Sequence, residues 1–284
     1  MNKVLLRWLL PTTAALVFGP LVAGVVASLH DHDGSTETTL LLSSAPLIGV
    51  LGLILIAAVA GIGGAVTGRL TAPGTGRTFA GLVVAWAAMR TGASWDIFMA
   101  HGGGVIVPLA VEGVLVAAAA AAVVVLLVVG EGTRDARTIR GDLAAALTGK
   151  SAWIGMLVGV IGGGVGAFLV AVDGGRGQGM MGGVIGGVLC AVGVQLASAE
   201  LPPERARLRA SAAMLVLMVL SPLSLLVVPG AGAVSEAARA GTLFGPGLVQ
   251  PLDWFVGVLL GVPTGMAWVG SVSERAQQHA AAGG

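Results

Sequence analysis

The chain has 284 residues, of which 56% are hydrophobic and only 10% are charged, and its mean hydropathy is +0.95. Because soluble domains carry about 25% charged residues, this composition excludes a soluble protein and predicts an all-α, polytopic bundle of transmembrane helices. No stretch is polar and long enough for a separate soluble domain, so residues 1–284 are expected to form a single integral membrane domain. The net charge of +1 gives no indication of a nucleic-acid partner, and the only cysteine, Cys190, excludes an intrachain disulfide.

The N-terminal apolar run, residues 8–29, follows Lys3 and Arg7 and fits two interpretations. It is either a retained first span or the core of a cleaved signal peptide, with a weak cleavage site at residues 25–27. The run is longer than the roughly 7–15 residues of a signal-peptide core, which favours a retained span. The bundle is therefore expected to have about eight spans, or seven if the first segment is removed.

Seven further apolar runs come close to the length of about 20 residues that a transmembrane helix needs. The runs are continuous rather than alternating, so they predict helices, which satisfy their own backbone hydrogen bonds in lipid. The predicted spans are residues 46–66, 79–100, 105–129, 152–172, 180–197, 212–228 and 254–269.

The distribution of positive charge orients the predicted bundle, because Lys and Arg collect in cytoplasmic segments. With the N-terminus in the cytoplasm, twelve of the fifteen Lys and Arg residues fall in cytoplasmic segments. Arg176 and Arg239 fall in external loops, and Arg90 lies inside the third span. The sequence therefore predicts that both termini are cytoplasmic, in a bacterial-type plasma membrane.

Tryptophan provides an independent check, because it collects at membrane interfaces. Five of the six tryptophans fall at predicted span ends, and only Trp86 lies inside a span. The predicted inner ends carry Trp8, Trp153 and Trp268, and the predicted outer ends carry Trp95 and Trp254.

Small residues recur every four positions in several predicted spans, which creates smooth helix faces that allow close backbone approach. Such faces predict tight packing, either within this chain or between copies of it. A face that lines a narrow path or a sliding contact is the alternative. The repeats are Ala57, Gly61 and Ala65; Gly155, Gly159 and Gly163; Gly182 and Gly186, with Gly183 and Gly187; and Gly257, Gly261 and Gly265.

Residues 79–130 concentrate the ionisable groups of the membrane region, in two apolar segments joined at residues 101–104. If His101 is the centre of the turn, Arg90 and Glu112 lie eleven residues on either side of it. Antiparallel helices then place both groups at equal depth, about 15 Å below the outer turn. Because a charge at that depth usually pairs, we predict an ion pair between Arg90 and Glu112.

Four further residues support this predicted pair or lie near it. Trp86 lies one turn from Arg90 on the same face, which favours a cation–π contact. Ser94 lies one turn in the other direction and is expected to donate a hydrogen bond to Glu112. Asp96 and His101 lie nearer the outer surface and are expected to be solvated there. The pair is either a salt bridge that fixes helix register or a gate, a proton-coupling carboxylate or a substrate anchor.

Three of the four histidines, His30, His32 and His101, are predicted on the outer side. Imidazole and carboxylate ligands suit zinc or copper, and Asp31, Asp33 and Asp96 are predicted on the same side. The spacing is not a specific ligand pattern, so a hydrated loop is the expectation and His30 and His32 are only weak metal candidates. No metal or other cofactor is predicted.

These observations leave three interpretations of function. The first is a permease or channel for an ion or a small solute, with Arg90 and Glu112 on its path. The second is a non-catalytic membrane subunit or scaffold, which binds another membrane subunit or a further copy of itself through its glycine-rich helices. The third is an intramembrane or metal-binding enzyme around the outer histidines. It has the least support, because the sequence carries no protease, kinase or hydrolase motif. The one partner common to all three interpretations is the lipid bilayer.

Overall fold

The computed structural model describes residues 3–131, 136–172 and 174–282. Helices make up 83% of the structure, and there is no strand in these three stretches. Seven helical stretches are long and apolar enough to cross a membrane, as expected for a multi-pass membrane protein. These stretches are Lys3–Ala27, Pro46–Leu70, Ser94–Gly130, Lys150–Val170, Arg176–Ala197, Pro203–Ala240 and Pro251–Val272.

Eleven helices are numbered here in chain order over the described residues. Four of them begin with a proline, whose fixed φ and missing N–H suit the first helical turn. The helices are α1 (Lys3–Thr13, continuing through a π turn at Ala14–Phe18 to Gly19–Ala27), α2 (Pro46–Leu70), α3 (Pro73–Ala88), α4 (Ser94–His101), α5 (Ile106–Gly130), α6 (Ala136–Leu147), α7 (Lys150–Val170), α8 (Arg176–Ala197), α9 (Pro203–Ser224), α10 (Val234–Ala240) and α11 (Pro251–Val256, a π turn at Gly257–Gly261, and Val262–Ala282).

The segments that connect the helices gather in two groups, one at each end of the bundle. At one end, which we call the basic end, the Arg69 Nε donates to the Gly130 carbonyl at 2.9 Å and the Arg205 Nε donates to Asp142 at 2.9 Å. At the other end, which we call the loop end, residues 28–45 contact residues 89–105, and residues 89–105 also contact residues 245–253. There the Gln250 amide donates to the Gly92 carbonyl at 2.6 Å.

The predicted hairpin at residues 101–104 is wrong. α3 already ends at Ala88, and the chain turns at residues 89–93 before α4 begins. The reason is the close packing of Gly92 beneath the loop of residues 28–45. The Gly92 amide donates to the Thr38 carbonyl at 2.7 Å, and a Cβ at Gly92 would lie 2.6 Å from the Glu37 carbonyl carbon. α3 therefore has only 16 residues and is not one of the seven candidate spans.

α4 and α10 pack against each other at the loop end. Gly102 ends α4 before α5 begins, with a φ of +61°, a backbone conformation that glycine adopts at little cost. α5 then runs beside α2 and α9, whereas α3 packs on α2 and makes few contacts with α5.

Glycines bring α8 into close contact with α7 on one side and α11 on the other. A Cβ at Gly166 of α7 would lie 2.8 Å from the Cα of Gly186, and one at Gly187 would lie 3.0 Å from the Cα of Gly261. Any side chain larger than hydrogen at these positions would separate the backbones. These glycine faces are therefore occupied inside the chain.

Trp254 lies near the start of α11 at the loop end, as predicted for a span end, but it faces the interior of the bundle. Its side chain is fully buried, and a Cβ at Gly186 would lie 2.7 Å from the indole ring. The glycines of α8 leave a space beside α11, and the indole fills it. By contrast, Trp8, Trp153 and Trp268 are exposed on the outside of the bundle.

Candidate functional site

Glu112 is buried in the loop-end half of the bundle, where only 1% of its surface is exposed. It lies six residues into α5, which corresponds to about 9 Å below the start of that helix. Its Oε2 accepts hydrogen bonds from the Thr39 hydroxyl at 2.6 Å and from the Leu41 amide at 2.9 Å. Its Oε1 is buried and finds no partner among the described residues. Glu112 is therefore a core carboxyl held only by neutral donors.

The donors reach Glu112 because the loop of residues 28–45 folds into the bundle. Thr39 is fully buried and Leu40 is 1% exposed, although the loop lies between two helices that are apolar enough to span a membrane. Gly49 allows this insertion, because a Cβ at that position would lie 2.7 Å from the Leu40 carbonyl carbon. The loop therefore inserts between the helices, and its residues 39–41 cover the Glu112 carboxyl.

The predicted ion pair between Arg90 and Glu112 does not form. Arg90 is exposed in the turn after α3, whereas Glu112 points toward the loop. The pairing assumed that α3 and α5 are adjacent antiparallel helices, but both pack against α2 instead. Depth alone therefore did not identify the partner of Glu112.

The residues predicted to support the pair also have other partners. Trp86 and Arg90 line one groove with Met180, but the described residues contain no cation–π contact between the two. The Ser94 hydroxyl donates to the Leu248 carbonyl at 2.6 Å rather than to Glu112.

A second group of buried polar side chains lies beside this loop, at the start of α11. The Gln250 amide nitrogen donates to the Ser94 hydroxyl at 3.1 Å as well as to the Gly92 carbonyl. Asp253 closes a capping box, in which its carboxylate accepts the Gln250 backbone amide at 3.1 Å. Sequence reasoning missed this group. A polar residue before Pro251 followed by an acid three residues later was the available signal.

An ion pair at the loop end links the loop of residues 28–45 to α8. Glu37 pairs with Arg176, and its other carboxylate oxygen accepts the Ala93 amide at 2.8 Å. One carboxylate therefore joins the loop of residues 28–45 to two other parts of the chain. Both side chains are about one-third exposed, so the pair contributes little to stability by itself.

The outer histidines do not form a metal cluster in the part of the chain that is described, where no three His, Cys, Asp or Glu side chains converge. His101 is partly exposed and contacts Asp31 at 2.7 Å, while Asp96, His30 and His32 are exposed. Asp33 accepts the Ser35 amide at 2.8 Å, and this bond holds the pKa of Asp33 below its usual range. These contacts describe a folded polar loop.

A cavity of about 40 Å³ lies at the basic end, between α3, α5, α9 and α11. Charged and polar side chains form one wall, and apolar side chains of α5 and α11 form the other. Arg77 pairs with Glu131 there. The polar wall consists of Arg77, Glu131, Glu204, Arg207 and Ser211.

The middle of the bundle between this cavity and Glu112 is closed. Gly113 packs directly against the Met218 backbone, where a Cβ would lie 2.9 Å from the carbonyl carbon. The fully buried side chains in this layer are Val116, Ala120, Met214, Met218 and Phe255. The structure therefore holds a partly buried charged cavity at one end and a sealed polar cluster at the other.

Comparison with known proteins adds no family assignment: no family model, curated protein or solved structure matches this chain.

Proposed function

We propose that the protein is a permease for an ion or a small solute, and that the Glu112 carboxyl holds its loop end closed. The observation that carries this proposal is the origin of the two Glu112 donors. Both come from the loop of residues 28–45 and neither comes from a helix. A loop can withdraw without unfolding a span, so such a contact is suited to release.

The cost of a buried carboxyl also favours a role beyond packing. Ionisable groups in membrane spans are rare, and they commonly mark ion paths and proton relays. Glu112 has no cation beside it to offset its charge, and one of its oxygens has no partner among the described residues. A proton or a cation at this oxygen would supply the missing contact.

The position of the charged cavity is the second support. α5, α9 and α11 line it, and α5 also carries Glu112. One rearrangement of these helices would therefore affect both ends. In this proposal the cavity is the inner mouth of the path, and the Met214–Met218 layer is its closed middle.

The threading that we propose has eight crossings, with α1 retained and both termini in the cytoplasm of a bacterial-type cell. α3 is short, but it connects the basic end near Arg69 with the loop end near Gly92, and 16 residues of helix reach about 24 Å. The arginines that gather at the basic end support a cytoplasmic position for that end.

The scaffold interpretation is less favoured, because the glycine faces that it requires are already used. Gly163, Gly186 and Gly261 each have neighbours from another helix of the same chain within van der Waals distance of an added Cβ. A partner helix or a second copy would have to bind through other surfaces.

The release of the loop of residues 28–45 can be tested by labelling a single cysteine that the loop covers. In a Cys190→Ala background, Thr91→Cys places a thiol at a site that is only 3% exposed, next to Gly92. Thr39→Val removes one of the two Glu112 donors. We expect it to raise the labelling rate by a membrane-impermeant maleimide about tenfold, the effect of weakening the closed state by about 1.4 kcal/mol. Labelling from outside intact cells also tests the proposed sidedness.

The matched control is Thr36→Val, because Thr36 is exposed on the same loop. It should leave the labelling rate unchanged. Equal rates in the Thr39→Val and Thr36→Val proteins would contradict the proposed seal.

Transport itself is measured with purified protein in liposomes, with pyranine as the proton probe and with radioactive sodium, rubidium and chloride as tracers. We expect flux of at least one probe above that of protein-free liposomes, and we expect Glu112→Leu to change it at least tenfold. Glu236→Gln, on an exposed acid of α10, is the control for loss of one negative charge. Absence of flux for all four probes would overturn permease activity for simple ions.

A further inference from the structure

The cavity at the basic end contains an arginine whose Nε has no hydrogen-bond partner among the described residues. Arg207 of α9 lines this cavity, its Nε is buried, and it forms no hydrogen bond or ion pair with any described residue. Buried donors without partners are rare in folded proteins, and each requires an explanation. A guanidinium has five N–H donors and cannot lose its charge by deprotonation.

A second arginine lines the same cavity. Arg77 of α3 lies close enough to Arg207 for the two guanidinium groups to repel each other. Glu131 balances Arg77 through their ion pair, whereas Arg207 forms no ion pair with a described residue. Ser211 lies one turn beyond Arg207, is 7% exposed, and adds a hydroxyl to the same wall.

We infer that this cavity binds a small inorganic anion of about the size of chloride, between the guanidinium groups of Arg77 and Arg207. The anion would accept the buried Arg207 N–H and the Ser211 hydroxyl, and it would screen the repulsion between the two arginines. A volume of about 40 Å³ holds roughly two to four waters, which is sufficient for a halide but not for an organic solute.

Two carboxylates in the same wall limit the affinity. Glu131 pairs with Arg77, Glu204 also lines the cavity, and both carboxylates oppose the binding of an anion. The site is therefore expected to bind with modest affinity, and Glu204→Gln should strengthen binding several-fold.

This inference deepens the proposed function by naming a ligand class, and it rests on that function only in taking the cavity as the mouth of a path. Binding and flux are separate measurements. Chloride binding without any flux would remove the permease and leave the site, whereas flux that persists without chloride binding would remove the site alone.

The test is equilibrium binding of radioactive chloride to the purified full-length protein in mild detergent, with gluconate as the replacing anion. We expect saturable binding of one chloride per chain, and at least a tenfold lower affinity in Arg207→Gln. Arg207→Lys keeps the charge and should retain most of the binding. Arg239→Gln removes an exposed arginine at the other end of the bundle and should change nothing.

Ser211→Ala provides a second variant if Arg207→Gln does not fold, and we expect it to weaken chloride binding about three- to tenfold. Absence of saturable binding by the unmodified protein would overturn the inference, as would unchanged affinity in both Arg207→Gln and Ser211→Ala. The phosphate of an anionic lipid offers the same chemistry. Phosphatidylglycerol that co-purifies in an Arg207-dependent manner, without chloride binding, would replace the inorganic anion by a lipid headgroup.

Discussion

The loop end and the basic end are each stabilised by a buried ionisable side chain, an acid at the loop end and an arginine at the basic end. At the loop end, a buried acid accepts hydrogen bonds from a hydroxyl and a backbone amide of an inserted loop. At the basic end, buried Arg209 donates to the carbonyls of Ala146 and Ser151 and to the Ser198 hydroxyl, at 3.0, 3.1 and 2.6 Å. The loop of residues 28–45 is held at Glu112 by two hydrogen bonds and elsewhere by contacts of Asp31, Glu37 and Thr38. The Arg209 guanidinium by itself joins three segments of the chain.

The difference shows where movement is least costly. Withdrawing only residues 39–41 breaks the two bonds to Glu112 and leaves the helices intact. Withdrawing residues 146–151, which join α6 to α7, breaks two of the three hydrogen bonds of a buried guanidinium, which costs more. In the proposed permease, the loop end is therefore the end that opens, and the hydrogen bonds of Arg209 remain intact.

The largest expected loss of stability comes from disturbing the packing of α8 against α11. Gly187 of α8 faces the Gly257 carbonyl, and backbone cannot move aside as a flexible side chain does. Gly187→Ala should therefore lower the free energy of unfolding by about 3 kcal/mol. The thermal midpoint in mild detergent measures this loss. Gly164→Ala is the matched control, because a Cβ there meets nothing within 4 Å. Equal midpoints for the two variants would contradict the described packing of α8 and α11.

A smaller loss is expected when the hydrogen bonds of Arg209 at the basic end are removed. Arg209→Ala leaves three acceptors without their donor and should cost about 2 kcal/mol of unfolding free energy. Arg239→Ala removes an exposed arginine and should cost less than about 0.5 kcal/mol. The same thermal assay compares them, and limited proteolysis between α6 and α7 reports local release. If Arg209→Ala remains as stable as Arg239→Ala, the two ends do not differ as described.

The smallest effect is expected at Arg90, the residue first predicted to pair with Glu112. Because Arg90 is exposed and lies outside the seal, Arg90→Gln should change the unfolding free energy by less than about 0.5 kcal/mol. Glu112→Leu removes the acceptor of both loop donors and should cost about 1–3 kcal/mol. A loss at Arg90 equal to that at Glu112 would indicate that the two residues act together after all.

The sequence determined the class of this protein, because composition and run length are local properties. Long continuous apolar runs can satisfy their backbone groups in lipid only as helices, and seven helical stretches of the described chain are long and apolar enough to cross a membrane. Glu112 could also be singled out from the sequence alone, since an acid in such a run is costly wherever it points.

Only the tertiary structure decided what Glu112 contacts. Its donor Thr39 lies 73 residues away in a loop whose polar composition predicted a hydrated surface. Depth arithmetic along adjacent helices assumed a turn at residues 101–104, whereas the packing of Gly92 under that loop ended α3 twelve residues before its predicted end. The burial of Trp254 could not be predicted for a related reason, because the space it fills is created by glycines on another helix. Periodicity records which residues share a face, but the identity of the opposing surface depends on how distant segments pack.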